Sequence, residues 1–389
     1  MSHGYSLDLP ALGINFVVDR FRREHHELIG ELTVKCALPG ARTVNGCLSV
    51  GDFNFSSIRA RQDRAKLLAQ RANTNGKIDW YLLLEDLAQN VIQAERTGEP
   101  AVDLRTLSRP ERDELQVEGL AFPRRHPTIL FGDGGSAKSY IALYLAGRLQ
   151  QSGINVCLFD WELCGEDHRD RLERLFGSAM PKILYVRCER PLIYEADRLR
   201  RVVTETNIGY AIFDSIAFAC DGPPEAAEIA GKYFRALREI NCGSLHVAHV
   251  TKSDNNDQRP FGSAFWHNGA RSTWYVQAVE PNEHNLRLGL FNRKANLGAL
   301  RPAVSYFIQF DDECTSIRRV EITDSQDLTD KLSVRTRIFL FLQRGSRTTE
   351  EIAESISADL ETVKRTLRRY RNDFVVLDGG RIGIREKSA

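Results

Sequence analysis

The chain has 389 residues, of which 42% are hydrophobic and 27% charged, and its formal net charge is +1. This length allows two or three domains with a substantial core, in the composition range of ordinary soluble globular proteins. The near-zero net charge excludes a general electrostatic attraction to nucleic acid, so such binding must come from a local patch. No apolar stretch approaches a membrane span and residues 1–10 lack a signal-peptide pattern, so we expect a cytoplasmic protein without a membrane partner.

The eight cysteines form no C-x-x-C pair and have no histidine companions at zinc-site spacing. Several lie in apolar runs, such as Cys157 in NVCLFDWEL. Buried free thiols are therefore expected, rather than a disulfide framework or a zinc site.

Residues 1–105 are predicted to form an N-terminal α+β accessory domain. Strand-like runs LIGELTVKCAL and NGCLSVGDFNF precede helix-like runs SIRARQDRAKLLAQRAN and DWYLLLEDLAQNVIQAERTG. The stretch from Trp80 to Leu84 is interpreted as helical core rather than as a base-stacking platform. Oligomerisation, partner docking and DNA engagement are all open for this segment.

Residues 106–325 alternate apolar strand runs with amphipathic helical runs, which is the pattern of a parallel α/β sheet. A connector lies on each side of this segment. The connector before it is rich in Gly, Pro and Ser, and the connector after it (321–331) is rich in charged residues. The last segment, 332–389, is predicted to be a small helical unit that ends in two strands.

A glycine-rich run between a strand and a helix, PTILFGDGGSAKSYIALYLAGRL (127–149), fits G-x-x-x-x-G-K-[ST] with Ala137 at the second glycine. Successive N–H groups of such a turn, added to the positive end of the helix, bind phosphate oxygens. Lys138 is expected to reach the β- and γ-phosphates of ATP and Ser139 to hold Mg²⁺. Ala137 is expected to need only an ordinary non-glycine backbone and space for one methyl. The predicted ATP-binding residues are Gly132, Asp133, Gly134, Gly135, Ser136, Ala137, Lys138, Ser139 and Tyr140.

Two acidic residues, Asp160 and Glu162, follow the next apolar strand run, where α/β sheets place their ligands. Glu162 is the candidate that polarises the water attacking the γ-phosphate. The alternative is that these acids cap the following helix or pair with Arg169 and Arg171. For Asp160 the two interpretations are equally supported.

A third strand run, IGYAIFDSIAF, places Asp214 at its end, where a carboxylate facing Ser139 would complete the Mg²⁺ site. Ser215 is either a neighbouring ligand or a helix cap. A fourth run, GSLHVAHVTK, leads to His249, which could sense the γ-phosphate or be a core histidine.

The polar stretch that opens SDNNDQRPFGSAFWHNGARSTW (253–274) suits a mobile loop that contacts DNA, or an ordinary surface loop. LRLGLFNRKANLGALRPAVSYFIQFD then predicts two strands joined by a hairpin around Asn296 to Gly298. Arg293 and Lys294 near its tip are either trans-acting cations for the nucleotide of an adjacent subunit or solvated edge residues.

In chain order, GDGGSAKS, LFDWE, AIFD, HVTK with PFGSAFWHNGARSTW, and NRKANLG resemble the motifs of RecA-like ATPases. Within these, the chain is most similar to the RepA-type hexameric replicative helicase group, relatives of the DnaB-type helicases. The resemblance covers residues 120–312, roughly half of the chain. It implies a RecA-type fold with ATP and Mg²⁺ bound between subunits of a ring, often a hexamer, around single-stranded DNA.

The resemblance also assigns roles to seven residues. These are phosphate and Mg²⁺ binding for Lys138 and Ser139, catalytic base for Glu162, Mg²⁺ coordination for Asp214, γ-phosphate sensing for His249, and trans-acting cations for Arg271 and Lys294. Two departures are Ala137 in the loop and Asn296, where DnaB-type relatives often carry arginine. The second weakens the trans-acting assignment.

Residues 331–389 carry 13 Lys or Arg against 8 Asp or Glu, so the tail is locally basic. Three helical runs and two strands around Asp378-Gly-Gly resemble a winged helix-turn-helix domain, with Thr348 or Thr349 and Ser357 as helix caps. Its predicted recognition helix, 361–371, would carry the DNA contacts. The candidate DNA-binding residues are Lys364, Arg365, Arg368, Arg369 and Arg371. A protein-docking winged helix is the alternative.

These patterns predict a RecA-like α/β ATPase core flanked by an α+β domain and a winged helix. The predicted activity is that of an ATP-hydrolysing motor on DNA, a ring-forming helicase or translocase for DNA replication. The alternatives are an ATP-dependent DNA-binding switch in a mobile element or defence system, which does not unwind DNA, and a small-molecule kinase, which the basic tail disfavours.

Overall fold

The computed structural model describes residues 4–73, 76–108, 114–250, 264–279, 281–296 and 298–385. The chain divides into two compact units, Met1–Arg109 and Pro110–Ala389. No helix in the described ranges has the length and apolarity that a membrane crossing requires.

The first unit is a four-stranded antiparallel sheet followed by two helices. Its elements are β1 (Tyr5–Leu9), β2 (Ile14–Glu24), β3 (Glu27–Cys36), β4 (Cys47–Asn54), α1 (Ile58–Ala72) and α2 (Trp80–Thr97). The predicted helices and the later strands are present, whereas β1 and β2 were not predicted. Of the run assigned to helical core, Trp80 and Leu84 are buried, while Leu82 is 63% exposed because a surface helix buries only one face.

The second unit is built on a nine-stranded sheet. The elements up to the last strand of this sheet are β5 (Glu114–Val117), β6 (Leu120–Pro123), β7 (Pro127–Gly132), α3 (Lys138–Gln151), β8 (Val156–Asp160), α4 (Gly165–Phe176), β9 (Leu184–Arg187), α5 (Leu192–Glu205), β10 (Tyr210–Asp214), α6 (Ile216–Ala219), α7 (Ala227–Ile240), β11 (Ser244–His249), α8 (Ala264–Gly269), β12 (Ser272–Val279), β13 (Asn285–Ala295), β14 (Val304–Phe310) and β15 (Thr315–Val320). The strand order in the sheet is β15-β14-β13-β12-β7-β11-β10-β8-β9. Strands β12, β7, β11, β10, β8 and β9 run parallel, and β13, β14 and β15 continue the sheet antiparallel.

The central parallel strands β7, β11, β10 and β8 are buried on both sheet faces, as strands of α/β proteins are, whereas the edge strand β9 is partly exposed. Alternate residues of one strand therefore enter two different apolar clusters. In β7, Phe131 packs in the cluster formed with α5 and α7, and its neighbour Leu130 packs in the cluster formed with α3. The predicted α/β core and the predicted pairing of β13 with β14 are both confirmed.

The described part of the tail contains three α-helices and a two-stranded antiparallel hairpin, and the short helix α9 (Gln326–Thr329) precedes it. The tail elements are α10 (Val334–Leu342), α11 (Thr349–Ser355), α12 (Leu360–Arg369), β16 (Phe374–Val376) and β17 (Ile382–Ile384). Thr348 caps α11 as predicted, in a capping box with Glu351. Ser357 is not a cap, because the Asp359 carboxylate accepts the Thr362 amide and begins α12.

The eight cysteines are free, as predicted from their spacing. Cys36, Cys157 and Cys188 are buried, whereas Cys164 and Cys314 are exposed. Burial raises the pKa of the Cys157 thiol to about 12, so this side chain is an inert apolar group at neutral pH.

Candidate nucleotide-binding site

The loop between β7 and α3 is shaped by three glycines. A Cβ on Gly132 would lie 2.4 Å from the Val276 carbonyl oxygen of β12, so only glycine fits there. Gly135 has a φ of +75°, and a Cβ on Gly134 or Gly135 would meet nothing within 4 Å. The glycine backbone is thus open on one side, where its N–H groups can approach a phosphate.

Ala137 adopts a left-handed backbone conformation, with φ 52° and ψ 27°, immediately before α3 begins. The expectation of an ordinary non-glycine backbone at this position is wrong. The motif has glycine here because a Cβ is unfavourable in this region, at a cost of about 1 kcal/mol.

We expect Ala137→Gly to keep ATP turnover within about 2-fold of the wild type, since glycine adopts this conformation without strain. The relief of strain and the extra freedom of glycine in the unfolded chain oppose each other, so the free energy of unfolding should change by less than about 1 kcal/mol. Thermal unfolding and phosphate release measure both. Ala142→Gly, in the buried interior of α3, is the control and should destabilise by about 1 kcal/mol or more. A large loss of turnover in Ala137→Gly would contradict this geometry.

Lys138 is buried at the first position of α3, and its amine is bound by the loop itself. The ammonium donates hydrogen bonds to the Asp133 carbonyl oxygen (2.6 Å) and the Ser136 hydroxyl (3.3 Å). Burial lowers the pKa of Lys138, while the negative charges of Asp133, Asp214 and Glu162 act in the opposite direction. A phosphate in the loop would offer this amine charged acceptors in place of neutral ones.

Asp214 ends β10 with 3% of its surface exposed. Burial raises the pKa of Asp214 to about 6, although the nearby Ser139 hydroxyl acts to lower it. Among the described residues, Oδ1 of Asp214 and the Ser215 hydroxyl are buried without a hydrogen-bond partner, so Ser215 does not act as a cap. A buried carboxylate oxygen beside a serine hydroxyl fits Mg²⁺, which takes oxygen ligands and completes its shell with water and phosphate.

Replacing Asp214 with asparagine is expected to stabilise the fold and to abolish Mg²⁺-dependent turnover. Because its pKa is raised, the ionised Asp214 carboxylate lowers the free energy of unfolding by on the order of 1–3 kcal/mol at pH 7.5. A neutral side chain of the same shape removes this destabilisation. At pH values between the ordinary pKa of an aspartate and the raised pKa of about 6, Asp214 is protonated in the folded protein but ionised in the unfolded chain. The wild type therefore recovers this stability as the pH falls through about 6. Denaturant unfolding from pH 8 to 4 tests this prediction. The variant's advantage should shrink on acidification, and a variant less stable at pH 7.5 would refute it.

Glu162 and His249 share the electrostatic environment of Lys138 and Asp214. Glu162 is exposed, and its charge raises the pKa of Lys138, of His249 and of Asp214. Burial and then the Lys138 charge lower the pKa of His249, which keeps the imidazole neutral near pH 7. His249 pairs with Gly132 across β11 and β7, so it stands beside the first residue of the loop. The structure therefore brings together the predicted phosphate, metal, base and sensor residues.

Asp160 has a different environment from Glu162, because it is fully buried. It neither caps α4, whose N-cap residue is Cys164, nor pairs with the predicted arginines. Arg169 pairs with Glu173, and Arg171 lies over the Tyr140 ring. The hydrogen-bond partners of Asp160 include Tyr185 and Arg187 of β9, which were not predicted. The available signal was their place at the end of the apolar run KILYVR, beside a strand with an acidic end.

The predicted trans-acting cations, Arg271 and Lys294, lie near α8. Arg271 directly precedes β12 and Lys294 lies in β13. These two strands are on the opposite side of β7 from β10 and β8, which lead to Asp214 and Glu162. The Lys294 amine donates to the His267 and Asn268 carbonyl oxygens (2.7 and 2.9 Å), and burial followed by the Arg271 charge lowers its pKa. Lys294 is therefore half-buried at the end of a helix rather than a solvated edge residue, whereas Arg271 is exposed. Arg293 lies over the Tyr275 and Phe291 rings.

Some predicted features lie outside the described residues. They are Thr251, Lys252, the polar loop 253–263, Leu297 at the hairpin tip and the Arg109-Pro110 connector.

A phosphate loop between a parallel strand and a helix, with acidic residues after neighbouring strands, is the arrangement of a P-loop nucleotide-binding domain. In agreement, residues 93–255 match the family model described as an AAA domain. The matched range contains the whole loop and also Glu162, Asp214 and His249. The sequence has no significant match among curated proteins.

Three solved structures are similar to this chain. The ATPase domain of G40P has 13% identity and a TM-score of 0.39, covering 49% of this chain and 83% of its own. A KaiC-like protein from the archaeon Pyrococcus horikoshii has 18% identity and a TM-score of 0.40, covering 51% and 91%. The flagellar accessory protein FlaH from Methanocaldococcus jannaschii has 12% identity and a TM-score of 0.40, covering 54% and 100%.

Proposed function

We propose that this protein is an ATP-hydrolysing RecA-type motor that acts on DNA as a ring-forming helicase or translocase. The observation that carries the ATPase assignment is the spatial order of four adjacent parallel strands, β7-β11-β10-β8. At their carboxyl ends they present, in turn, the phosphate loop with Lys138, then His249, Asp214 and Glu162. One sheet edge thus carries the phosphate-binding, metal-binding, base and sensor residues of the proposed reaction.

In the proposed reaction, Glu162 accepts a proton from water as the water oxygen attacks the γ-phosphorus. The bond between the γ-phosphorus and the bridging oxygen breaks, and ADP and phosphate are the products. Lys138 donates hydrogen bonds to phosphate oxygens as their charge shifts, and neutral His249 contacts the γ-phosphate and responds to its loss. When bound at Ser139 and Asp214, Mg²⁺ supplies charge neutralisation for the β- and γ-phosphates.

The proposed assembly is a ring, a hexamer, in which Arg271 or Lys294 completes the nucleotide site of an adjacent subunit. Exposed Arg271 is the more accessible of the two, because the Lys294 amine is already bound by α8 carbonyl oxygens. Imaging with an ATP analogue and single-stranded DNA tests this assembly. Closed rings around the strand are expected, and a monomer under these conditions would refute it.

For the tail we propose a DNA-binding winged helix, with α12 as the recognition helix and the β16–β17 hairpin as the wing. Val363 of α12 is buried in the tail's own core, while Arg365, Arg368 and Arg369 are exposed. Lys364 is paired with Glu361 on the same helix, and Arg371 follows the helix end at Arg369. The exposed cations support phosphate contacts along one side of the helix.

Reversing one of these charges, in Arg368→Glu, is expected to weaken binding to duplex DNA about 10-fold at low salt. Loss of a phosphate contact should also lower the slope of log Kd against log salt by about 1. The matched control is Arg344→Glu, an exposed arginine just after α10, with the same change in net charge. Equal binding by the two variants would show that the tail is a protein-docking module.

Unwinding of forked DNA separates a motor from an ATP-dependent switch. The proposal requires strand separation or directional movement that depends on ATP hydrolysis. DNA binding and ATP turnover without either would instead identify a regulator that uses ATP to assemble. Turnover that depends on a metabolite and ignores DNA would identify a small-molecule kinase.

A further inference from the structure

The turn that follows β8 is tied to the end of its own strand by one carboxylate. Asp160 Oδ1 accepts the Glu162 amide at 3.1 Å, and its two oxygens accept the Leu163 amide at 3.2 and 3.1 Å. Such side-chain bonds to amides two and three residues ahead fix the backbone of a turn. Glu162 is one of the two residues whose amides this carboxylate binds.

A second set of contacts holds the carboxylate from β9. The Tyr185 hydroxyl and the Arg187 guanidinium each donate to Asp160 Oδ2 at 3.1 Å. Arg187 also donates to the Leu163 carbonyl oxygen, so one guanidinium is hydrogen-bonded to both the Asp160 carboxylate and the turn. The His168 ring nitrogen Nε2 lies 3.4 Å from Oδ1. Burial alone would raise the pKa of Asp160, but His168 and the two turn amides hold it below its usual value.

The other side of the turn is joined to the metal-binding strand. The Trp161 amide donates to the Asp214 carbonyl oxygen at 2.7 Å, and its indole N–H donates to the Arg190 carbonyl oxygen at 2.8 Å. The Trp161 ring also stacks on Phe213, with ring centroids 6.0 Å apart. Glu162 is thus an exposed side chain on a backbone held from two directions.

We infer that Asp160 is a positioning residue for hydrolysis, which orients the Glu162 carboxylate by fixing the 161–163 turn through its amides and through Arg187. This inference rests on the proposed role of Glu162 as the base. A base must lie within hydrogen-bond reach of the attacking water, and a misplacement of about 1 Å costs about 100-fold in rate. The loop from Gly132 to Ser139 shares no hydrogen bond with this turn among the described residues, so nucleotide affinity should not depend on it.

The test compares Asp160→Asn with Glu195→Gln. Glu195 is a second carboxylate that is 99% buried and pairs with two arginines, Arg190 and Arg198, but it accepts no hydrogen bond from the turn amides. We expect Asp160→Asn to lower single-turnover hydrolysis by about 10-fold or more with unchanged Kd for ATP. Glu195→Gln should leave hydrolysis within about 2-fold of the wild type. Hydrogen exchange at residues 162 and 163 should rise only in Asp160→Asn.

A double-mutant cycle with Glu162→Gln distinguishes the positioning role from the proposed function itself. If Asp160 acts through Glu162, adding Asp160→Asn to Glu162→Gln should cause no further loss of hydrolysis. Additive losses, or equal losses of stability and ATP affinity in Asp160→Asn and Glu195→Gln, would overturn the positioning role. Wild-type turnover by Glu162→Gln would instead overturn the base assignment.

A milder variant keeps the test valid if Asp160→Asn does not fold. Arg187→Gln removes the guanidinium that is hydrogen-bonded to both Asp160 and the turn. The Arg187 side chain is 43% exposed, so the fold should tolerate this substitution. A fall of about 3-fold or more in hydrolysis with unchanged ATP affinity would support the positioning role. Wild-type hydrolysis by Arg187→Gln, with its exchange at residues 162 and 163 unchanged, would overturn it.

Discussion

Lys138→Ala is expected to abolish ATP turnover, with a loss of at least about 10²–10³-fold in kcat/KM. The ammonium is the only cation that the phosphate loop itself contributes, and it emerges from the first turn of α3. Removal of a single charge-stabilising donor from an active site typically costs this much. The pKa of Lys138 is lowered chiefly by burial, so its charge is poorly hydrated and interacts strongly with a phosphate that enters the loop.

The same variant should remain folded. The ammonium of Lys138 donates to a neutral carbonyl and to a hydroxyl, and its burial opposes the charged form, so alanine removes the cost of that burial along with two hydrogen bonds. We expect a change in the free energy of unfolding within about 1 kcal/mol. ATP affinity should fall as well, because the lysine also contacts the ground-state phosphates.

The measurement is steady-state phosphate release with Mg²⁺ and single-stranded DNA, together with binding of a fluorescent ATP analogue. Lys232→Ala is the control, since Lys232 lies on α7 in an exposed pair with Glu228. It should behave as the wild type. Full turnover by Lys138→Ala would remove the phosphate loop from the mechanism.

The location of this site could be predicted from the sequence because its residues follow a rule of local order. Each of Glu162, Asp214 and His249 comes at or just after the end of an apolar strand run, and parallel strands present their carboxyl ends at one sheet edge. Only the parallel character of the sheet has to be correct for these side chains to converge. The confirmed core and the β13–β14 pairing depend on the same short-range alternation.

What could not be predicted depends on contacts between residues far apart in the chain. For Asp160 the sequence left a catalytic role and a role as helix cap or arginine partner equally supported, because Arg187 becomes its partner only when β9 pairs with β8. The left-handed conformation of Ala137 was not predicted because alanine rarely adopts it, although the glycine that the motif has at this position was a signal for it. β2 was missed since its polar end, VVDRFRRE, obscures the alternation that buries Phe16 and Val18.

Glu162→Gln is expected to bind ATP normally and to hydrolyse it about 10²–10⁴-fold more slowly, because the amide cannot accept the water proton. The side chain is exposed at the end of a fixed turn, so the substitution changes charge and not packing. Loss of its negative charge removes an effect that raises the pKa of both Lys138 and His249, but the Lys138 charge remains. Binding of ATP should therefore be as tight as in the wild type, or tighter.

Two measurements separate the binding and hydrolysis steps of Glu162→Gln. Equilibrium binding of a fluorescent ATP analogue should be retained, while phosphate release in a single turnover should nearly cease. Glu166→Gln is the matched control, the same chemical change on an exposed carboxylate in the first turn of α4, and should keep turnover within about 2-fold. If ATP-bound subunits are the ones that close the ring, Glu162→Gln should also accumulate the ring on single-stranded DNA. Rapid hydrolysis by Glu162→Gln would assign the base to another residue at this sheet edge, with Asp214 and His249 as the groups to test next.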